Sequence, residues 1–268
     1  MQNILTAISL GAGVQSSTMA LMAAKGELPM PDCAIFADTG YEPDHIYSYL
    51  KFLISVLPFP VYKVDNGNLR NDMVESVHTG ARFASVPFFT KNEVTGKVGI
   101  LKRQCTYDYK IEPIRIKLRR LCGVKKHKQF PKNSYIEQWI GISTDEAQRI
   151  KPSKFKYIKN IYPLIKLNMS RENCLSWMET NKYPLPQKSS CLCCPFHSDK
   201  HWHDMQKNTP IEFKEAVWID KKIRSGTKNA KGTLYLHKSC KPLDEVNFNK
   251  NQSQNDTFGN ECEGMCGL

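Results

Sequence analysis

Residues 4–17 read Ile-Leu-Thr-Ala-Ile-Ser-Leu-Gly-Ala-Gly-Val-Gln-Ser-Ser, and a helix-forming run continues to Lys25. The apolar, β-branched beginning is typical of a buried strand, and the small residues after it are typical of a turn into a helix. The two glycines let the backbone approach a ligand closely. The serines and the N–H groups at the start of the helix point donors at one place, which the helix dipole makes favourable for an anion. The stretch predicts a strand, an anion-binding loop and a helix, although a turn without a ligand would give the same local pattern.

Two well-known phosphate loops do not fit this turn. A dinucleotide-binding loop would need glycine in place of Ser16, and a Walker loop would need Gly-Lys followed by Ser or Thr. The turn resembles instead the pyrophosphate loop (PP-loop) of the ATP pyrophosphatase and phosphoadenylylsulfate (PAPS) reductase superfamily, written Ser-Gly-Gly-x-Asp-Ser. Gly13 and Ser16 match that motif, whereas Gly11, Ala12 and Gln15 depart from it.

A second motif follows the next predicted strand, Cys33 to Ala37. A carboxylate at this place in a doubly wound sheet can reach a ribose or a bound metal, and Asp38 stands there. Its alternative role is that of a turn or N-cap residue before the helix predicted over 44–57. Asp38-Thr39-Gly40 also resembles the second motif of the reductase branch of the superfamily.

Two later blocks resemble the superfamily as well. In the first, Cys105 precedes Lys110 and a helix begun by Pro113, which implies a phosphate contact for Lys110. In the second, a strand predicted over 139–142 leads into residues 143–149, which contain Asp145, Glu146 and Arg149. Ser143 and Glu146 also match a capping box, which would explain both residues structurally.

The resemblance implies two sets of site residues. Those implied in catalysis are Ser16, Asp38, Lys110 and Asp145. Those implied in nucleotide binding are Gly11, Ala12, Gly13, Gln15, Ser16, Ser17, Asp38, Thr39, Gly40 and Arg149.

Helical runs alternate with short apolar runs, including one at 60–64, and this predicts a doubly wound parallel α/β sheet. The resemblance names it as a Rossmann-like, adenine nucleotide α-hydrolase-like fold. We expect a nucleotide-binding domain at 1–165 with a basic helical insertion at about 102–132, and a helical, Cys-rich region at 166–268. The breaks between 77 and 101 predict a mobile loop or a hairpin over the site.

Basic residues are concentrated in one part of the chain. The sequence has 38 Lys and Arg against 26 Asp and Glu, a net charge of +12, and eleven of the basic residues lie between 102 and 132. Such a patch suggests a nucleic-acid partner, although a solvated basic face is the alternative. Lysines interleave with Phe155 and Tyr157 between 151 and 159. That pattern suits a nucleic-acid strand, or an edge strand protected by lysines.

The chain has ten cysteines, several of them at metal-ligand spacing. Cys191 and Cys194 form a C-x-x-C pair, and Cys262 and Cys266 follow a polar tail that could not order itself by apolar burial. Together these four predict a site for a [4Fe–4S] cluster or Zn²⁺, with Cys105 or Cys193 as substitutes and unliganded thiols as the alternative. His197, His201 and His203 lie nearby and are expected on a solvent-facing helix.

No stretch approaches the roughly 20 apolar residues needed to cross a bilayer, and no secretory signal is evident. We therefore expect a cytoplasmic protein without a membrane partner, and a homo-oligomer is left open.

The resemblance implies an enzyme that binds ATP with Mg²⁺, cleaves ATP at the α–β bond and adenylates an acceptor for sulfur transfer. Within the superfamily, the basic patch and the cysteines most resemble the ATP pyrophosphatase of DNA phosphorothioation (Dnd and Ssp) systems. This implies DNA rather than tRNA as acceptor and a sulfur donor such as a cysteine desulfurase. The alternatives are a tRNA thiolase, a zinc-stabilised nucleic-acid-binding module without catalysis, and a sulfonucleotide reductase. The reductase alternative rests on the faint resemblance of the end of the chain, 265–268, to the catalytic Cys motif of PAPS reductases, which implies Cys266 as nucleophile.

Overall fold

The computed structural model describes residues 2–79, 86–225 and 232–248. In chain order its elements are β1 (Gln2–Leu10), α1 (Val14–Ala24), β2 (Cys33–Ala37), α2 (Asp44–Val56), β3 (Val61–Val64), α3 (Leu69–Thr79), β4 (Phe89–Lys91), β5 (Val98–Ile100), a π-helical turn (Tyr107–Ile111), α4 (Glu112–Leu121), β6 (Ser134–Ile140), a 3₁₀ turn (Thr144–Arg149), β7 (Ile158–Ile161), α5 (Pro163–Lys166), α6 (Arg171–Thr180), α7 (Asp199–Asn208), α8 (Pro210–Ile223), β8 (Thr233–Tyr235) and a 3₁₀ turn (Leu243–Glu245).

Five of the strands form one parallel sheet in the order β3-β2-β1-β6-β7. Helices α1, α2 and α6 cover one face of this sheet, where Ile8, Phe36 and Trp139 are buried. Helix α4 covers the other face through Ile114 and Leu118. This arrangement confirms the predicted doubly wound α/β fold.

The order of the strands reverses at β1. The chain first adds β2 and β3 on one side of β1, then crosses to the opposite face through α4 and adds β6 and β7 on the other side. In open parallel sheets, ligands bind beyond the carboxyl ends of the strands at such a reversal. The loops after β1, β2 and β6 meet at that edge.

A second hydrophobic cluster lies outside the sheet. Helices α3, α7 and α8 pack there around buried Met73, Trp202 and Ile219. An antiparallel sheet in the order β5-β4-β8 adjoins them. Strands β4 and β5 form a hairpin within the segment where a loop or hairpin was predicted, and residues 80–85 of that segment lie outside the described residues.

Several local predictions need correction. Strand β6 begins at Ser134 and ends at Ile140, so it covers only the first half of the predicted 139–142 strand. The predicted capping box at Ser143 and Glu146 is wrong, because no side chain caps that 3₁₀ turn. A capping box is present instead at Ser170, whose hydroxyl accepts the Asn173 N–H at the start of α6.

None of the helices in the described ranges has the length and apolar character needed to span a membrane.

Candidate functional site

The loop between β1 and α1 ends in an uncapped helix N-terminus. Gly13 is the N-cap residue, its backbone is extended, and no side-chain cap hydrogen bond forms there among the described residues. The first turn also contains no acidic residue of its own, so none of its side chains offsets the positive end of the helix dipole. Ala12 has a φ of 54°, a left-handed conformation that turns the chain toward the helix.

Ser16 stabilises this loop from within. Its hydroxyl oxygen accepts the Gly11 N–H at 3.1 Å, and the side chain is fully buried. The carbonyl of Gly11 in turn accepts the Ser189 hydroxyl at 2.7 Å. The loop is therefore a defined structure whose backbone is bonded to a segment far along the chain.

Gly141, directly after β6, closes the site from the other side of the strand reversal. A Cβ at this position would lie 2.6 Å from the backbone nitrogen of Ser16 and 2.8 Å from its Cα. Only glycine allows β6 to approach the start of α1 so closely. Gly141 was not among the predicted site residues, although a glycine directly after a buried strand could have indicated a close approach.

Gln15 connects the loop to the turn after β6. Its side-chain amide donates to Glu146 at 3.1 Å and lies 3.4 Å from the Ser143 hydroxyl. Glu146 is buried and also forms an ion pair with Arg149. A carboxylate in place of Gln15 would face that of Glu146, so this contact favours a neutral side chain at position 15.

Asp38 lies at the carboxyl end of β2 and is held by three donors. Its carboxylate accepts the Gly40 N–H at 2.7 Å and the Tyr47 hydroxyl at 2.8 Å, and lies 2.6 Å from the Lys63 ammonium. Burial alone would raise its pKa. The three donors outweigh burial and lower the pKa of Asp38 below its ordinary value.

This lowered pKa predicts a pH-dependent loss in an Asp38→Asn variant. At pH 7 the variant should lose about 2 kcal/mol of unfolding free energy, because the donors then face a neutral acceptor. The contribution of Asp38 is complete above the ordinary aspartate pKa of about 3.9 and disappears as the pH falls through the lower pKa of the folded protein. Urea unfolding between pH 7 and pH 3.5 measures this difference. Exposed Asp65 is the control: Asp65→Asn should change stability by less than about 0.5 kcal/mol, and an equal loss in both variants would contradict the prediction.

Lys110 and Glu42 form a buried ion pair between the π-helical turn and the loop after β2. The lysine nitrogen lies 3.2 Å from a Glu42 oxygen, and the side chains are 7% and 1% exposed. Thr39 donates to the same carboxylate at 3.1 Å. Glu42 was not among the predicted residues, because a single acid four residues after Asp38 gives no signal in the sequence.

Asp145 has a structural contact in this arrangement. Its carboxylate accepts the Arg171 N–H at the start of α6 at 3.0 and 3.3 Å, which places a negative charge at the positive end of that helix.

The first cysteine pair lies beside the loops. The Cys194 N–H donates to the Cys191 carbonyl at 3.1 Å, which closes the tight turn expected of a C-x-x-C pair. The Cys191 thiol lies 3.6 Å from both the Thr39 hydroxyl and Glu42. Cys105, Cys191, Cys193 and Cys194 together line a largely apolar pocket of about 30 Å³.

This pocket has sulfur donors but not a closed ligand set. Burial raises the pKa of the Cys193 thiol, which contacts the Tyr41 hydroxyl at 3.1 Å. Among the described residues, no group of three His, Cys, Asp or Glu side chains is arranged to hold a metal ion. Cys262 and Cys266, the other two predicted ligands, lie outside the described residues.

His197 is a correction. It was expected on a solvent-facing helix, yet it lies before α7, is buried, and its ring nitrogen contacts the Leu192 carbonyl at 3.1 Å. Burial and the neighbouring His201 hold its pKa well below the ordinary value.

The chain is similar in structure to several proteins of known structure. No protein-family model matches the chain, and no curated protein matches it. The chain is similar to the crystal structure of PAPS reductase from Candida auris in its phosphate complex, with a TM-score of 0.44 and 15% identity, over 71% of this chain and 80% of that one. A similarity of this size supports no conclusion about activity.

Proposed function

We propose that the chain is an ATP pyrophosphatase that binds ATP at the loop between β1 and α1 and adenylates an acceptor for sulfur transfer. The observation that carries this proposal is the uncapped N-terminus of α1 at the strand reversal, next to Gly141 and with Asp38 at the end of β2. Backbone N–H groups at a helix N-terminus bind phosphate oxygens, and the helix dipole favours their charge.

The proposed chemistry depends on positioning and charge. Gly13, Ser16 and the first N–H groups of α1 would hold the departing pyrophosphate and stabilise its charge as the α–β bond breaks. Mg²⁺ bound with ATP would neutralise further phosphate charge. Asp38 would orient the ribose, for which one of its donors must give way. Lys63 is the donor best able to move, because its side chain is 55% exposed.

The acceptor in this proposal is a nucleic acid. Six cations on α4 and the turn after it line an open groove, called the basic groove here: Arg115, Arg119, Arg120, Lys125, Lys126 and Lys128. Cations grouped in this way attract phosphate backbones. We propose DNA rather than tRNA, and phosphorothioation as the modification, on the resemblance stated above.

Sulfur delivery would involve the cysteines. Thiolates are the ligands that Zn²⁺ and iron–sulfur clusters share. Cys191 and Cys194 would supply two ligands from their turn, with Cys262 and Cys266 completing the set and a cysteine desulfurase supplying sulfur.

A second candidate, a sulfonucleotide reductase, is favoured by the motif around Cys266. It would use the same anion site for a sulfonucleotide and Cys266 as its nucleophile. Alkylation of Cys266 would then abolish activity, whereas release of pyrophosphate from ATP would persist in the pyrophosphatase.

Replacing Ser16 with alanine tests the anion site. Pyrophosphate release from ATP should fall about tenfold, because the variant loses the hydroxyl that bonds to Gly11 and organises the loop. Release is measured with anaerobically purified protein, alone and with DNA or tRNA, and the polymer that stimulates it identifies the acceptor. The control is Ser55→Ala on the exposed side of α2. If the wild-type protein released no pyrophosphate under any of these conditions, the proposed function would be wrong.

A further inference from the structure

A second cavity opens at the carboxyl ends of β6 and β7, close to the loop. Its enclosed part measures about 40 Å³, and the pocket widens into an open mouth. Three aromatic rings line it, those of Tyr107, Phe155 and Tyr162, together with the apolar side chains of Ile140 and Ile142. We call it the aromatic pocket. Aromatic rings and aliphatic side chains favour a planar ligand with apolar faces.

Asn160 is one of the residues that line this pocket. Its amide nitrogen donates to the Lys151 carbonyl at 2.9 Å, which fixes the orientation of the amide because a carbonyl can only accept. The amide oxygen is buried and has no hydrogen-bond partner among the described residues. A buried acceptor without a partner is costly. A planar ligand with an N–H group, as every nucleobase has, would satisfy it.

The wall opposite β7 is held in place before any ligand arrives. The Tyr162 hydroxyl donates to the Lys151 carbonyl at 2.6 Å and accepts the Lys151 N–H at 3.1 Å. Together with the Asn160 bond, these contacts tie the segment that carries Lys151, Lys154 and Phe155 to β7. The pocket is therefore formed by the fold.

The charge around the pocket is positive. Lys151, Lys154 and Arg149 line it, and none of the described lining residues is acidic. Arg149 is bonded to Glu146, which also accepts from Gln15 of the loop. A short line of polar contacts thus joins the pocket to the proposed ATP site.

The basic groove adjoins the pocket through stacked side chains. The Arg115 guanidinium lies 5.0 Å from the centre of the Phe155 ring, and that of Arg119 lies 5.4 Å from the Tyr157 ring. Phe155 therefore borders the pocket on one side and Arg115 of the groove on the other. A strand whose phosphates lie along the groove would bring its bases to the mouth of the pocket.

We propose that the aromatic pocket holds one unstacked nucleotide of a single-stranded nucleic acid, with neighbouring phosphates on Lys151, Lys154 and the basic groove. The base would stack on the aromatic rings and donate to the Asn160 oxygen. This inference rests on the proposed function in one respect, that the acceptor is a nucleic acid. It adds the place where the acceptor nucleotide enters next to the ATP site.

The test is a binding experiment without ATP, so it does not depend on ATP cleavage. Fluorescence anisotropy measures the Kd of labelled 12-nucleotide single strands in which one abasic site is moved along the sequence. Stacking of one base in the pocket should make a single abasic position weaken binding about tenfold. In the Asn160→Leu and Phe155→Leu variants, the intact strand should bind about tenfold more weakly. An abasic site at the sensitive position should then weaken binding no further.

Tyr135→Leu is the matched control. Like Phe155, Tyr135 contacts a cation, because the Lys159 nitrogen lies 3.6 Å from the centre of its ring. Tyr135 lies at the other end of β6, so the variant should bind the strand and respond to the abasic site like the wild type. The proposal is overturned if no abasic position matters in the wild-type protein, if no strand binds at low salt, or if free AMP or ATP displaces the base from the pocket at micromolar concentration. A normal rate of pyrophosphate release together with any of these results would leave the proposed ATP chemistry standing.

Discussion

Replacing Lys110 with methionine is expected to lower the free energy of unfolding by about 3–5 kcal/mol. Methionine keeps most of the length of the side chain but removes the charge that faces Glu42. The Glu42 carboxylate is 1% exposed, so it would remain buried without its cation. Leaving one charge of a buried pair is far more costly than removing both.

Urea unfolding of three variants measures this effect. The double variant Glu42→Gln/Lys110→Met should recover most of the stability, because no buried charge is left alone. Lys221→Met is the matched control, since Lys221 pairs with Asp244 at 2.7 Å and both side chains are exposed (60% and 38%), so its loss should stay below about 1 kcal/mol. Equal losses of unfolding free energy in the two single lysine variants would contradict the prediction that Lys110 compensates a buried charge.

The same double variant tests the proposed role of Lys110 in phosphate binding. If Lys110 contacts a phosphate of ATP, the double variant regains stability while pyrophosphate release stays low. If its role is confined to Glu42, stability and release recover together.

Replacing Gly141 with valine is the second large change. The first atom of any side chain would lie 2.6 Å from the Ser16 nitrogen, so β6 and the start of α1 must move apart. Overpacking of this kind costs about 1–3 kcal/mol. Because the displaced N–H groups are those proposed to bind phosphate, ATP cleavage should fall about a hundredfold.

Gly99→Val provides the control for this substitution. Gly99 is exposed in β5, and its added Cβ would meet only the Thr90 hydroxyl at 3.1 Å, a side chain that can rotate away. The thermal unfolding and the ATP binding of the Gly99→Val variant should be the same as those of the wild type. If the Gly141→Val variant bound and cleaved ATP normally, the contact between Gly141 and the start of α1 would not be needed for ATP binding.

The order of elements through β3 could be predicted because its signals are local. Strand β2 was predicted with its observed ends, since five consecutive apolar residues between turn residues are typical of a strand buried on both faces. Helix α3 was missed. Leu69, Met73 and Val77 recur at helical spacing in its sequence, but the rest of the helix is mostly polar, and it is ordered by packing Leu69 and Met73 against the cluster around α8.

The candidate site was only partly predictable for the same reason. Gln15 differs from the superfamily motif, and only the structure shows that it donates to Glu146, 131 residues away. The Ser189 bond to Gly11 likewise joins segments 178 residues apart. Nothing in the local sequence specifies which distant group will meet a given side chain.

The loop after β1, the buried strands and the density of positive charge were predictable from the amino-acid sequence, because backbone conformation, burial and net charge follow from residues close together in the chain. The contact between Gly141 and Ser16, the pair of Glu42 and Lys110, and the buried acceptor of Asn160 emerge only in the folded chain. Close packing forces such residues into contact, and burial makes an unpaired polar group costly. Close packing and burial both arise only when distant segments are brought together.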